Sequence, residues 1–235
     1  MVTAPPRLTG VIERMDRPDV DPAALDGALR DLARINRLFG GTRVVLDHLA
    51  PLLSGLPSPI RILDVGTGYA DVPRAIVRRA RRLGAAVRID ALDYHAGIRR
   101  RAAHACVGYP EIRLRGANAL ALPYPDRTVD VVLASQVLHH MEGDEPVRLL
   151  REMHRVARHA VLVSDLRRGG WPHAVTRVAL LLLSRNPLIR HDGPLSIRRG
   201  FTAPELAALA IAADWKTPRV VRGAFFRLVL VERVN

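Results

Sequence analysis

The sequence predicts an α/β fold: a doubly wound, seven-stranded, mostly parallel sheet with a C-terminal antiparallel hairpin and an N-terminal helical appendage. Three observations predict it. From Ile60 onward, short apolar strands alternate with helical stretches, the pattern that right-handed crossovers wind into an open sheet. Strands 129–134 and 160–163 are nearly continuous apolar runs, as a parallel sheet covered on both faces requires. The last two strands are separated only by Gly223-Ala224, too short for a crossover, so one strand must run antiparallel.

Residues 1–22 carry four prolines and no sustained period, and read as a loose arm. Asp21-Pro22 supplies a helix cap and a first-turn proline. Leu25, Leu29, Leu32, Ile35, Leu38 and Phe39 then recur near helical spacing until Gly40-Gly41. A second helix, 42–53, ends near Ser54-Gly55. Strands are expected at 60–65, 87–92, 111–115, 129–134, 159–164, 217–222 and 225–232, with helices near 71–83, 96–106, 144–156 and 203–213. This divides the chain into an arm and helical cap, 1–55, and a main domain, 56–235. A lid-like insertion at about 166–202 interrupts the rhythm. It holds Gly169-Gly170-Trp171-Pro172, a helical run at 175–183 and an expected polar turn, His191-Asp192-Gly193-Pro194.

The chain has 235 residues and a formal charge of +13, which invites a nucleic-acid reading. The distribution opposes it: Lys216 is the only lysine, and arginines are scattered over nearly every helix. The runs at 78–82 and 99–101 read as solvated outer faces. A single cysteine, Cys106, excludes an intramolecular disulfide and fits a cytoplasmic setting. No apolar run follows Arg7, so no signal peptide is expected. The longest apolar run, 178–183, is far short of a membrane span.

The strongest motif is Ile62-Leu-Asp-Val-Gly-Thr-Gly-Tyr-Ala-Asp71, an apolar strand ending in Asp64, then Gly66 and Gly68, then a helix. Glycines there let the backbone turn and approach a ligand closely. The third glycine of a dinucleotide loop is replaced by Asp71, which would repel a pyrophosphate. A phosphate loop's Gly-Lys-Ser/Thr is absent. The favoured ligand therefore lacks phosphates. Asp93 ends the next strand, placed to accept hydrogen bonds from both ribose hydroxyls. Asn118 follows the third strand, where it could read an adenine edge. The run Asp130-Val-Val-Leu-Ala-Ser-Gln-Val-Leu-His139-His140 then leads a buried strand into a loop at the same sheet edge.

Together these segments resemble class I S-adenosylmethionine (SAM)-dependent methyltransferases with a Rossmann-like sheet, most closely the small-molecule branch that includes ubiquinone- and menaquinone-biosynthesis enzymes. The likeness covers about 60–165. It implies SAM as cofactor, bound by Asp64, Gly66, Thr67 and Gly68, with Gly66 and Gly68 beside its methionine part. Asp93 then lies at the ribose, Tyr94 on the adenine, Asn118 with Ala119 at the adenine amino group, and Gln136 near the methionine part. Two positions depart from the family pattern: Ala70 replaces its third glycine, and Asn118 its adenine-side carboxylate.

Such an enzyme needs at most a proton acceptor from its own side chains, and His139, His140, Asp165 and His191 are the candidates. Three have a structural alternative: packing for His139 and His140, turn capping for Asp165. Asp64 could equally hold the glycine turn, and Asp93 could cap a helix. No metal-ligand spacing is present. The apolar run 178–183 and the N-terminal helices fit a small apolar acceptor (aromatic, quinone or polyketide-like) methylated on oxygen or carbon in secondary metabolism. Arg167, Arg168, Arg198 and Arg199 could meet a carboxylate or a membrane surface. Alternatives are a phospholipid or amine N-methyltransferase, an RNA methyltransferase, and a non-catalytic SAM-binding partner protein.

Overall fold

The computed structural model describes residues 4–17, 19–223 and 225–234, with the backbone alone at 170–173, 176 and 181. The signal-peptide reading at residues 1–3 and the hairpin residue Ala224 lie outside the described residues. Helices α1 (Pro22–Leu38) and α2 (Gly41–Gly55) precede the sheet. Then follow β1 (Ile60–Val65), α3 (Asp71–Leu83), β2 (Val87–Leu92), α4 (Ala96–Ala105), β3 (Ile112–Arg115), β4 (Val129–Ser135), α5 (Glu145–Val156) and β5 (Ala157–Leu166). The chain finishes with α6 (Gly170–Leu183), α7 (Pro187–Arg199), α8 (Ala203–Ala212), β6 (Arg219–Gly223) and β7 (Arg227–Arg233).

The seven strands lie in the order β3-β2-β1-β4-β5-β7-β6. All neighbours up to β5 are parallel, and β7 runs antiparallel to both β5 and β6. Strand order therefore reverses between β1 and β4, which pair as far as Val65 and Ala134. The crevice outside that reversal is where open α/β sheets bind ligands.

Local chemistry explains these boundaries. Asp21 caps α1 by accepting Ala24 N–H at 2.7 Å, with Pro22 in the first turn. Gly84 ends α3 in the left-handed region at φ 67°, and Asp71 in its first turn suits the positive helix end. Val45, Leu49, Ile76 and Ala80 cover one sheet face, while Leu149, Leu150, Met153 and Leu206 cover the other. Each such leucine contributes about 1.5–3 kcal/mol through burial. Trp215 extends the second layer and donates from Nε1 to Leu150 O at 3.1 Å.

Four expectations need correction. The described part of the arm is tied down rather than loose. Leu8 N–H donates to Arg198 O at 3.0 Å, and Arg7 reaches the carbonyls of Arg199 and Met141, each at 2.7 Å. Glu13 is buried, and Arg14–Asp16 form a 3-10 turn. Second, the polar turn at 191–194 lies inside α7. Asn186 caps that helix, and Leu180 of α6 packs where a side chain at Gly193 would stand. Tertiary packing thus overrides two helix breakers. Third, Phe225 and Phe226 form the hairpin turn, both at positive φ, because β6 already pairs Gly223 with Arg227. Fourth, Arg168 and Arg199 are buried. Arg168 pairs with Glu205, and Arg199 donates to His140 O at 2.9 Å, so neither faces a membrane or an acceptor carboxylate.

Candidate active site

A cavity of ≈ 520 Å³ opens at the carboxyl ends of β1, β2 and β4 and is capped by α1 and the arm. That volume suits a small molecule. Its floor is the turn between β1 and α3. Gly66 adopts φ +69°, and a methyl there would stand 2.4 Å from Val137 Cγ2. Gly68 adopts φ +54°, and a methyl there would meet nothing within 4 Å, because the residue borders open space. Ser135 Oγ is buried beside the cavity without a hydrogen-bond partner, while the Thr67 hydroxyl faces Asp64. Such orphaned groups are uncommon unless a ligand completes them.

Asp93 stands opposite the glycine turn and also braces it. Its Oδ2 accepts Gly68 N–H at 3.0 Å, and its Oδ1 accepts His95 N–H at 2.9 Å. The capping and ligand-facing roles therefore meet in one carboxylate, since Asp93 also lines the cavity. Asp64, Thr67, Tyr94 and Gln136 line it too, Tyr94 as a residue 85% exposed. Asn118 does not. It is exposed, its Oδ1 accepts Leu120 N–H at 2.9 Å, and neither it nor Ala119 is among the lining residues.

Asp16, Asp64, Asp71 and Asp93 give the wall four carboxylates, and no lysine or arginine is among the described lining residues. Burial, reinforced by Asp71 and Asp93, pushes the Asp64 carboxyl up to about 8. Burial also raises Asp71 and Asp93 above the ordinary carboxylate range, against the hydrogen bonds each accepts. A cation entering the cavity would favour their charged forms. Asp71 is held from behind by Asn36 Nδ2 at 2.8 Å, and Asn36 Oδ1 accepts Arg227 Nη2 at 3.0 Å. The Arg227 guanidinium is fully buried, with Nε and Nη1 unpartnered, and burial lowers it to about 10.

The histidine pair separates into two environments. His139 is buried behind the wall. Its Nδ1 lies 2.7 Å from Asp165 Oδ1, and its backbone N–H donates to Asp165 Oδ2 at 3.1 Å. Burial disfavours the Asp165 charge, yet the His139 ring and the backbone N–H groups of His139 and Leu166 hold the carboxyl below its usual range. His140 lines the cavity, with Nδ1 2.9 Å from Asp16 Oδ2. Burial acts to lower its pKa, but Asp16 and Glu13 outweigh burial and raise it. With Nδ1–H donating to Asp16, Nε2 is the basic nitrogen. His191 stands apart on α7, largely exposed, with Nδ1 2.7 Å from Asp192 Oδ1.

Asp16, Asn36 and Asp71 escaped the sequence reading as members of the wall, and Glu13, buried near His139 outside the lining, escaped it too. Only Asp71 carried a signal, its place after the glycine turn. Glu13, His139 and His140 bring potential ligand atoms within 4.8 Å of one another. Glu13 Oε1 already accepts the Ser196 hydroxyl at 2.8 Å and lies 3.7 Å from Arg199 Nη1. A metal ion there would stand against a guanidinium, so we do not read these residues as ligands.

Comparison with known proteins agrees with this geometry. Residues 63–163, from β1 into β5, match the family model described as a methyltransferase domain. A probable S-adenosylmethionine-dependent methyltransferase of Mycobacterium tuberculosis is 32% identical over 129 residues, 54% of this chain and 41% of that protein. A demethylmenaquinone methyltransferase of Lysinibacillus sphaericus is 32% identical over 98 residues, 42% of this chain and 40% of that one. The chain thus spans about two fifths of the length of these curated relatives. Among solved structures, a SAM-dependent methyltransferase from Aquifex aeolicus superposes with a TM-score of 0.66 at 18% identity, over 92% of this chain and all of that one. Among the described residues no helix is long and apolar enough to cross a membrane.

Proposed function

We propose that this chain is a SAM-dependent methyltransferase acting on a hydroxyl or an activated carbon of a small, uncharged, apolar acceptor. One observation carries the reading. A single cavity is bounded on one side by the glycine turn and Asp93, and on the other by His140 and the apolar side chains of Met15, Leu29, Leu32 and Val137. The glycine turn, the orphaned Ser135 hydroxyl and the electronegative wall fit a cationic nucleoside cofactor. SAM, when bound, supplies an electrophilic methyl group.

The chain's own residues supply the rest. Asp93 accepts hydrogen bonds from ribose hydroxyls while its backbone contacts keep the glycine turn in place. Asp64 and Asp71 face the cofactor's positive charge. Met15, Leu29 and Leu32 exclude water and seat the acceptor in line with the methyl. His140 Nε2 accepts the acceptor's proton, and Asp16 stabilises the resulting imidazolium. His139 with Asp165 fixes the loop from behind.

Four wall carboxylates, with no lysine or arginine among the described lining residues, disfavour an acceptor bearing a carboxylate or phosphate, which weighs against nucleic acid and phospholipid substrates. The Lysinibacillus relative's name, a demethylmenaquinone methyltransferase, supports a quinone-like acceptor. The test is transfer of a labelled methyl from SAM to matched pairs of alkylphenols and alkylbenzoates. Methylation of the phenols with little on the benzoates is expected. Preferential methylation of benzoates or RNA would overturn the acceptor assignment.

A further inference from the structure

We infer that Asp192, in the helix outside the cavity, is a positioning residue that sets the basicity of His140 by fixing the turn that carries Asp16. The inference rests on the reading of His140 as the proton acceptor. Asp16 belongs to a 3-10 turn of three residues, Arg14–Asp16, with no buried residue of its own. A single turn of that length does not hold its shape unaided. Its place must therefore come from what grips it.

The grip comes from α7. Asp192 is 2% exposed, and it directs both carboxylate oxygens at consecutive backbone amides of the turn. Oδ1 accepts Arg14 N–H and Oδ2 accepts Met15 N–H, each at 3.0 Å. One helical turn on, Ser196 Oγ donates to Glu13 Oε1 at 2.8 Å, so residues four apart on one face of α7 hold successive residues of the arm. Hydrogen bonds to a charged acceptor are about twice as strong as neutral ones, and two from one carboxylate fix orientation as well as distance. Asp16 is thereby delivered 2.9 Å from His140 Nδ1.

The other charged groups facing His140 are few. Glu13 comes from the same arm, the His139 ring stands 4.1 Å away between centroids, and Arg199 of α7 donates to the His140 carbonyl at 2.9 Å. Glu142, just beyond the histidine turn, lies 3.8 Å from Arg199. Among the described carboxylates, Asp16 alone contacts the imidazole of His140 directly. Displacing the turn should therefore act on His140 chiefly through Asp16.

The test needs no acceptor. Protein labelled with ¹³C-histidine is titrated by NMR, with the His140 signal assigned by its absence from His140→Gln. In wild type its midpoint should lie above the ordinary histidine value, and Asp16→Asn should lower it by about one unit. Asp192→Ala should produce a shift of the same direction and similar size, and Asp16→Asn combined with Asp192→Ala should shift no further than either alone. Asp192→Asn, which keeps one acceptor oxygen, should fall between and serves if the alanine variant does not fold. A wild-type midpoint in folded Asp192→Ala or Asp192→Asn would overturn the inference, as would fully additive shifts. Failure to methylate any acceptor, with these shifts intact, would instead count against the proposed activity alone.

Discussion

Replacing Gly41 with alanine sets helix propensity against packing. Gly41 opens α2, and in a helix alanine is favoured over glycine by roughly 0.5–1 kcal/mol. Propensity alone therefore predicts a more stable protein. The structure predicts the opposite sign. A methyl built at Gly41 would stand 1.8 Å from Asn36 Oδ1 and 2.6 Å from Arg227 Cζ. Asn36 cannot retreat without losing Asp71 or Arg227, and the buried guanidinium has no route to water. Overpacking of this kind costs about 1–3 kcal/mol. Loss of the Asn36 bond to the charged Arg227 adds about 1.5–3 kcal/mol. After the propensity gain, the net loss is about 3 kcal/mol, or a fall in Tm on the order of 10 °C. Urea unfolding monitored by circular dichroism measures it. A variant as stable as wild type, or more so, would refute the packing of Asn36, Gly41 and Arg227 described above.

Three further outcomes are expected. Because Asp64 titrates near 8 in the free protein, this group's contribution to stability is complete below the unfolded value near 3.8 and declines as pH rises towards 8. A cationic ligand reverses that shift, so SAM binding at pH 7 should release protons, measured by calorimetry in buffers of different ionisation enthalpy and reduced in Asp64→Asn. If His140 accepts the acceptor's proton, the rate should climb with pH through a midpoint above 6.5, and Asp16→Asn should move that midpoint down; a flat profile would remove His140 from this role. Exhaustive treatment with EDTA should leave methyl transfer unchanged, whereas loss restored by a divalent ion would make Glu13, His139 and His140 a ligand set after all.

The sheet was legible because its signals are local. Strand β1 with its glycine turn, the apolar β4 and the short hairpin each declare themselves within ten residues, and Asp93 follows from its register with Gly68. The arm and α7 were not legible, for a common reason. Glu13 and Asp16 owe their positions to Ser196 and Asp192, about 180 residues away, and no periodicity in an arm with four prolines hints at that contact. Gly193-Pro194 reads as a break until Leu180 is seen packing against Gly193. The candidate site divides the same way. The side proposed for the cofactor centres on the glycine-turn motif, while the side proposed for the acceptor is assembled from α1, the arm and the loop after β4. Asn118 shows the converse, since its motif position predicts an adenine contact while its side chain caps the local turn.

The central claim, that the glycine turn and Asp93 hold SAM, is tested most directly by calorimetric titration of SAM and S-adenosylhomocysteine into wild type and Asp93→Ala. The account predicts one site for each in wild type, and at least tenfold weaker binding in the variant, about 1.4 kcal/mol. No binding by folded wild type, or equal affinity in folded Asp93→Ala, would contradict it.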